Sequence, residues 1–506
     1  MHRLNRFFSV SGWWRHQPGQ HDVGGVPTAH SKPAHATSDS NRIWKKTQLF
    51  YLIILFMFSQ GCTNNASNNE AQTSDSSLVK LIVLAPGHFH AALLQKYMYK
   101  EIDSTVHVFA PAGPEVKSYL NLIDEYNNRK ENPTAWKEEV DTSANYLEKM
   151  LTTKPGNVVA ISGNNKLKTE YIKKSVEAGL NVLADKPMAI SKAGFDELKK
   201  AFAEAKEKKV LLYDIMTSRY EITNILQKAF SEVPELFGEL EKGTLENPAM
   251  VSESVHFFFK EVSGVPLTRP AWYLDVEQEG EGIVDVTTHL VDLIQWECFP
   301  EANFDYEKDI KMLSAKRWAT VLTPAQFKQV TKQEAYPDFL QKDVKDSLLS
   351  VYANGEMNYT IRDLHAKVSV VWKYEPPKGT SDTYYSILRG TKTNLVIRQG
   401  KEQQYQPVLY LEPADKSKSD AWQKDVEKGM DILKKKYPGL SLKKSNEGWE
   451  VVVPDNLKVD PEQQFSLVVK KYLQYLRDGN MPEWEISAML AKYYTTTQAL
   501  EKALAP

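Results

Sequence analysis

Residues 181–187, Asn-Val-Leu-Ala-Asp-Lys-Pro, read as a short apolar strand that ends in a charged tripeptide. The stretch after it, Phe195 to Lys208, repeats its apolar positions every three to four residues, with Ser191 as the predicted cap. A buried strand followed by an amphipathic helix is half of a βαβ unit. In a parallel sheet the ligand crevice lies off the carboxyl ends of the strands, so Pro187 sets Lys186 at the mouth of that crevice. The same rhythm surrounds it. Val79 to Leu84, Val106 to Phe109, Val158 to Ile161 and Val210 to Tyr213 are further apolar runs, and Thr169 to Ala178 is a helical stretch stopped at Gly179. Alternation of this kind predicts a doubly wound parallel sheet.

After about Ser218 the rhythm breaks. Ser252 to Phe259, Val368 to Tyr374 and Thr393 to Ile397 are β-rich without a helix after each, which predicts an antiparallel sheet in a second domain. Asp415 to Lys436, Pro461 to Asp478 and Glu483 to Leu504 read as helices, with Gly448 to Pro454 as an edge strand. The fold class is therefore α/β: a Rossmann doubly wound sheet, then an α+β domain on an open, mostly antiparallel sheet. The expected boundaries are 1–62 for an N-terminal extension and signal, 63–77 for a tether, 78–217 for the dinucleotide-binding domain, 218–410 for the substrate domain and 411–506 for a C-terminal extension packing back on the body. An exposed edge of the open sheet is compatible with a homo-oligomer.

The chain of 506 residues has a net charge of -2 and no concentrated Lys/Arg stripe, which excludes nucleic acid as a partner class. One of its two cysteines gives the address. Lys45-Lys46, the apolar run Leu49 to Phe58 and Ser59-Gln60-Gly61 precede Cys62, the order of a bacterial lipoprotein signal. Ten apolar residues are short of the roughly twenty that span a bilayer. Cys62 is thus the expected lipidated N-terminus, Thr63 to Ser77 a polar tether, and the protein an envelope lipoprotein held to the membrane by its lipid.

Ala85-Pro86-Gly87-His88-Phe89-His90 follows the first strand, where a dinucleotide fold carries GxGxxG. Only Gly87 of the three glycines is present, with Ala85 and His90 in the first and third places. Backbone N–H groups of this turn are the expected pyrophosphate contacts. His88 and His90, without a carboxylate or cysteine near them in sequence, fall short of a metal ligand set, and no metal is expected. The second strand ends without the acidic residue that holds an adenosine ribose, which leaves NAD and NADP both open, with Glu115 as a substitute. Ser162, Asn164 and Asn165 follow the Val158 strand and are expected on the nicotinamide side with Asp185 and Lys186. About a hundred residues on, Asp285 and His289 stand one helical turn apart and face the same cleft. Lysine, aspartate and histidine together can move a proton off a hydroxyl while a cofactor takes the hydride. Asp214, Arg219, Tyr220, His256, Arg269, Trp272 and Tyr273 are the candidate substrate contacts, with Trp272-Tyr273 an aromatic pair able to stack on a ligand.

These features, together with Gly280-Glu281-Gly282-Ile283-Val284 leading into Asp285, resemble the glucose-fructose oxidoreductase, inositol dehydrogenase and rhizopine catabolism (Gfo/Idh/MocA) family over Leu78 to Trp296. The resemblance implies a Rossmann domain joined to an open-sheet domain, NAD or NADP as cofactor, and a sugar or polyol as substrate. It also implies roles. His289 takes the substrate proton, Lys186 hydrogen-bonds the reacting hydroxyl and Asp285 orients the pair, with Asp185 in place of the family's glutamate. Three functions follow: a sugar or polyol dehydrogenase, an NAD-dependent glycosidase that borrows and returns a hydride, or a glycan-binding protein without catalysis. Beyond about Pro300 the likeness fades into an extension.

Overall fold

The computed structural model describes residues 78–262 and 265–505, so the signal, Cys62 and the tether lie outside the described residues. Six strands form the first sheet: β1 (Val79–Leu84), β2 (Ile102–Phe109), β3 (Lys137–Asp141), β4 (Val158–Ile161), β5 (Asn181–Asp185) and β6 (Leu212–Ile215). Their order is β3-β2-β1-β4-β5-β6 and every pairing is parallel. This is the Rossmann arrangement, with its topological switch between β1 and β4. The strands β1, β4, β5 and the edge strand β6 are buried nearly throughout, as a sheet covered on both faces requires. β3, with the sequence Lys-Glu-Glu-Val-Asp, is an exposed edge and offers no apolar run to read. The helix after β5 runs Lys192–Lys208, and Ser191 Oγ accepts from Gly194 N at 3.1 Å as its cap. Gly179 ends the preceding helix at φ +80°, where a side chain would strain the backbone.

The second sheet is built from β7 (Met250–Phe257), β10 (Ile310–Leu322), β11 (Val344–Lys345), β12 (Leu348–Ile361), β13 (Leu364–Lys373), β14 (Thr383–Arg389), β15 (Thr393–Gln399), β16 (Val408–Pro413), β17 (Ser441–Lys444) and β18 (Trp449–Val452), while β8 (Glu261–Val262) and β9 (Val265–Pro266) form a separate hairpin. Its main path is β10-β12-β13-β7-β14-β15-β16-β18-β17, with β11 on β12. Only β13 and β7 run parallel. β16 spans the expected boundary at 410/411, so the sheet continues through it. β17 lies outside β18, which makes β18 an inner strand rather than the edge.

The last two helices tie the halves together. Phe465, Val468, Val469 and Tyr472 of the helix Pro461–Asp478 belong to the Rossmann core. The C-terminal helix Glu483–Leu504 gives Met489 and Tyr493 to that core and Ala488, Ala491, Ala499 and Leu500 to the core under the second sheet. No described helix is long and apolar enough to cross a membrane.

Candidate active site

The carboxyl edge of the Rossmann sheet gathers the groups expected of it. Lys186, just past β5, places Nζ 2.5 Å from Asp285 Oδ1, and both side chains are largely buried. Burial disfavours the ammonium, but the Asp285 and Asp185 carboxylates outweigh it and raise the Lys186 pKa. His289, in the third position of the helix Thr287–Cys298, bonds Ser218 Oγ through Nδ1 at 3.0 Å. Burial and then the nearby Lys186 push its pKa down to about 3, against the opposing pull of Asp285, Asp292 and Asp185. At neutral pH the site therefore holds a charged lysine beside a neutral imidazole. That pairing can donate to an oxygen and accept a proton from it.

At the first turn Ala85 adopts φ +48°, the left-handed backbone that the glycine of the motif normally supplies. The next loop lies hard against it. A Cβ on Gly163 would meet Ala85 O at 2.4 Å and Gly87 N at 2.9 Å, and Gly87 N itself donates to Ser162 O at 3.1 Å. Two buried oxygens at this edge, Asp185 Oδ1 and Asn165 Oδ1, have no protein partner. A left-handed turn, a glycine-only approach and unpartnered acceptors at the switch point fit a bound dinucleotide. Gly163→Ala is expected to force these loops apart, and overpacking of this kind costs about 1–3 kcal/mol. A fall in Tm and a loss of NADH affinity on the order of tenfold, read by fluorescence titration, would report it.

The turn histidines meet a carboxylate that the local sequence does not show. Asp185 Oδ2 lies 2.9 Å from His90 Nδ1 and 3.6 Å from His88 Nδ1, and it accepts from Ser162 Oγ at 2.9 Å. This corrects the reading of His88 and His90 as standing without a carboxylate: β1 and β5 end side by side across β4, which brings Asp185 to them. Burial pushes Asp185 up, but His90, His88 and Lys168 outweigh it and hold the carboxyl well below its usual range. Burial and the neighbouring His90 lower His88 to about 4. Phe89 stays exposed at the tip, while the His90 ring packs on Phe465 at 5.5 Å.

Asn164 and Asn165 join the loop after β4 to the second half. Asn164 Nδ2 donates to Gln278 Oε1 at 2.7 Å, Asn165 N to Gln278 O at 2.9 Å and Asn165 Nδ2 to Glu279 O at 2.7 Å. Glu279 and Lys168 belong to the site and carry no motif. Lys168 is 1% exposed, with Nζ 3.5 Å from Lys186 O, and burial lowers its pKa. Burial and then Asp285 raise Glu279 well above the carboxylate range. In sequence Lys168 looks like any solvated helix lysine, and only the run Glu279-Gly280-Glu281-Gly282 hints at the other.

The substrate candidates divide. His256, Arg269 and Tyr273 come together around Trp372, which the sequence did not mark. The Trp372 ring lies 5.0 Å from His256 and 6.0 Å from Tyr273, and the Arg269 guanidinium is 4.5 Å from the Tyr273 ring. His256 is held by Asp382 Oδ2 at 3.2 Å and Ser254 Oγ at 3.1 Å. Trp272 is buried beside them. Asp214, Arg219 and Tyr220 go elsewhere. Asp214 is 2% exposed and ion-paired to Lys492 at 2.6 Å, Arg219 pairs with Asp292 and Glu485, and Tyr220 packs on the Rossmann core. The charges of Asp214 and Arg219 are satisfied inside the protein, by Asp292 and by Lys492 and Glu485 of the C-terminal helix, all remote in sequence.

A switch-point crevice fit for a dinucleotide, with a lysine, a carboxylate and a neutral histidine at its mouth, defines a nicotinamide-dependent oxidoreductase. The family model "Oxidoreductase family, NAD-binding Rossmann fold" matches residues 114–213, and "Putative oxidoreductase C terminal domain" matches residues 226–504. The chain belongs to the Gfo/Idh/MocA oxidoreductase family, and NAD or NADP is its cofactor. A solved structure from Parabacteroides merdae, described as a "putative oxidoreductase", is 54% identical over 84% of this chain and 98% of that one, with a TM-score of 0.83. A levoglucosan dehydrogenase solved with NADH and levoglucosan shares the fold at 11% identity, over 84% of this chain and 96% of that one, TM-score 0.52. A mutant 3-ketoreductase from Actinomadura kijaniata solved with TDP-benzene and NADP does so at 13%, over 84% and 98%, TM-score 0.51. No match was found among curated proteins.

Proposed function

We propose that the protein is a lipid-anchored envelope enzyme that oxidises a hydroxyl of a sugar, polyol or glycoside and keeps its nucleotide from one turnover to the next. The observation that carries the reading is the charged Lys186–Asp285 pair beside neutral His289 at the carboxyl edge of the sheet. Bound NAD or NADP supplies the hydride acceptor. His289 accepts the hydroxyl proton, Lys186 donates a hydrogen bond to the oxygen as negative charge grows on it, and Asp285 fixes the ammonium. We place the sugar beside His256, Arg269 and Tyr273, which gather around the buried Trp372 ring. Sugar-type ligands in the distant relatives, levoglucosan in one, are in line with that class.

Retention of the nucleotide draws support from the Asn164 and Asn165 bonds to Gln278 and Glu279, which join the two halves over the nicotinamide-side loop. The address rests on the order of residues before Cys62. Cys62→Ala is expected to move the protein from the membrane fraction to unprocessed precursor. Unchanged membrane association and mass would remove the lipoprotein reading. The enzymatic reading is tested by releasing and identifying the bound nucleotide, and by the turnover experiment argued at the end of the Discussion.

A further inference from the structure

The C-terminal helix enters the site through a chain of buried charges. Arg219 Nε and Nη2 grip Asp292 at 2.6 and 2.8 Å, and Arg219 Nη1 reaches Glu485 of the C-terminal helix at 3.0 Å. Asp292 lies one turn beyond His289 on the same helix and is fully buried. Its other partner is Lys492, again from the C-terminal helix, at 2.9 Å. Lys492 also holds Asp214 at the end of β6, and Tyr493 Oη donates to the same carboxylate at 2.9 Å. Tyr213 and Tyr475 donate to Glu485 at 3.2 Å each. Ser218, whose hydroxyl meets His289 Nδ1, is the residue immediately before Arg219.

This arrangement bears on which imidazole nitrogen carries the proton. A histidine that accepts a substrate proton through Nε2 needs Nδ1–H, and that hydrogen needs a fixed acceptor. Ser218 Oγ is the partner in place at 3.0 Å. A serine hydroxyl rotates freely and serves as donor or acceptor, so its position must be set by something else. The bidentate Arg219–Asp292 grip spans from the residue beside Ser218 to the helix of His289, and planar two-bond pairing fixes angle as well as distance.

We propose that Arg219 is a positioning residue, anchored by Asp292 and by Glu485 of the C-terminal helix, that holds the Ser218 hydroxyl as acceptor for His289 Nδ1–H and so leaves Nε2 free as the base. The proposal rests on His289 as the base in the function proposed above. His289 also faces Lys186, Asp285, Asp292 and Asp185, but among the described residues only Ser218 bonds its ring, so Ser218 is the contact that selects the tautomer.

The test uses the full chain labelled with 15N at histidine, with the His289 signals assigned by their loss in His289→Asn. No turnover is required, so failure here is separable from failure of the proposed function. Wild type is expected to show the Nδ1–H tautomer at neutral pH. Ser218→Ala, Arg219→Lys and Glu485→Gln are each expected to move the two ring-nitrogen shifts toward one another, with NADH affinity within about twofold of wild type. Ala499→Gly loosens the same C-terminal helix outside the charge chain and is expected to leave the His289 pattern unchanged. A wild-type pattern in Arg219→Lys overturns the proposal. So does the Nε2–H tautomer in wild type, or an equal change in Ala499→Gly. If Arg219→Lys does not fold, Glu485→Gln decides, and a wild-type pattern there is equally fatal.

Discussion

His289→Ala is expected to slow turnover by about a hundredfold to ten-thousandfold, the range commonly lost with a positioned proton acceptor, or about 3–5.5 kcal/mol of barrier. Among the described residues its side chain bonds only Ser218, so the fold and nucleotide binding are expected to stay near wild type. Lys186→Ala is expected to cost as much in rate, with a second effect. Asp285 is 4% exposed and Lys186 is its ion-pair partner. Taking the ammonium away leaves a buried carboxylate without its counter-charge, a loss typically of about 3–5 kcal/mol. Tm should therefore fall in Lys186→Ala and hardly move in His289→Ala, while both lose turnover. Lys186→Met paired with Asp285→Asn removes the stranded charge and should recover most of the stability and none of the rate. Reduction of the bound nucleotide in a single turnover, with a melting curve for each variant, reads both effects. Wild-type rates in either single variant would reject the assignment.

What the chain shows of its fold before it is folded follows from where apolar residues fall. The inner Rossmann strands are buried on both faces and write themselves as unbroken runs, so β1, β4 and β5 are legible to within a residue. β3 is an edge of three Lys and Glu residues with one valine and one aspartate, and its strand state comes from pairing with β2 rather than from its own side chains. β10 carries only two buried residues among thirteen, at its two ends, and is held in the sheet by the long ladder to β12. The site divides in the same way. Lys186, Asp285 and His289 can be found because strand end and helical spacing give each a local reason to point at the crevice. Lys168 and Glu279 have none, and become site residues only when the loop around Gln278 reaches Asn165. Asp214 and Arg219 show the converse: polar residues at a strand end look like ligand contacts until Lys492 and Glu485 arrive, the latter 266 residues from Arg219, and consume their charges.

The other large effect concerns where the electrons go. Incubated with candidate glycosides and no added nucleotide, the purified protein is expected to form product over many turnovers while the absorbance of reduced nicotinamide shows no net change. On the proposed address, an enzyme anchored outside the cytoplasmic membrane through Cys62 would be cut off from the soluble nicotinamide pool, and a cofactor consumed once per turnover could not be replaced there. A cofactor that stays must be returned to its starting state by the same substrate, as in hydrolysis through a transient ketone, or by a second sugar. The loops that would have to part for release are joined by four hydrogen bonds from Asn164 and Asn165 to Gln278 and Glu279. Several such bonds, each worth on the order of 1 kcal/mol, slow an opening without forbidding it. Release should accordingly be slow beside chemistry, and Asn164→Ala should speed nucleotide loss more than it alters the rate of the bound-state reaction. Chromatography follows the product and absorbance follows the nicotinamide in one sample. Product that appears only in proportion to added NAD or NADP would sink the recycling scheme while leaving the oxidoreductase chemistry of Lys186 and His289 standing.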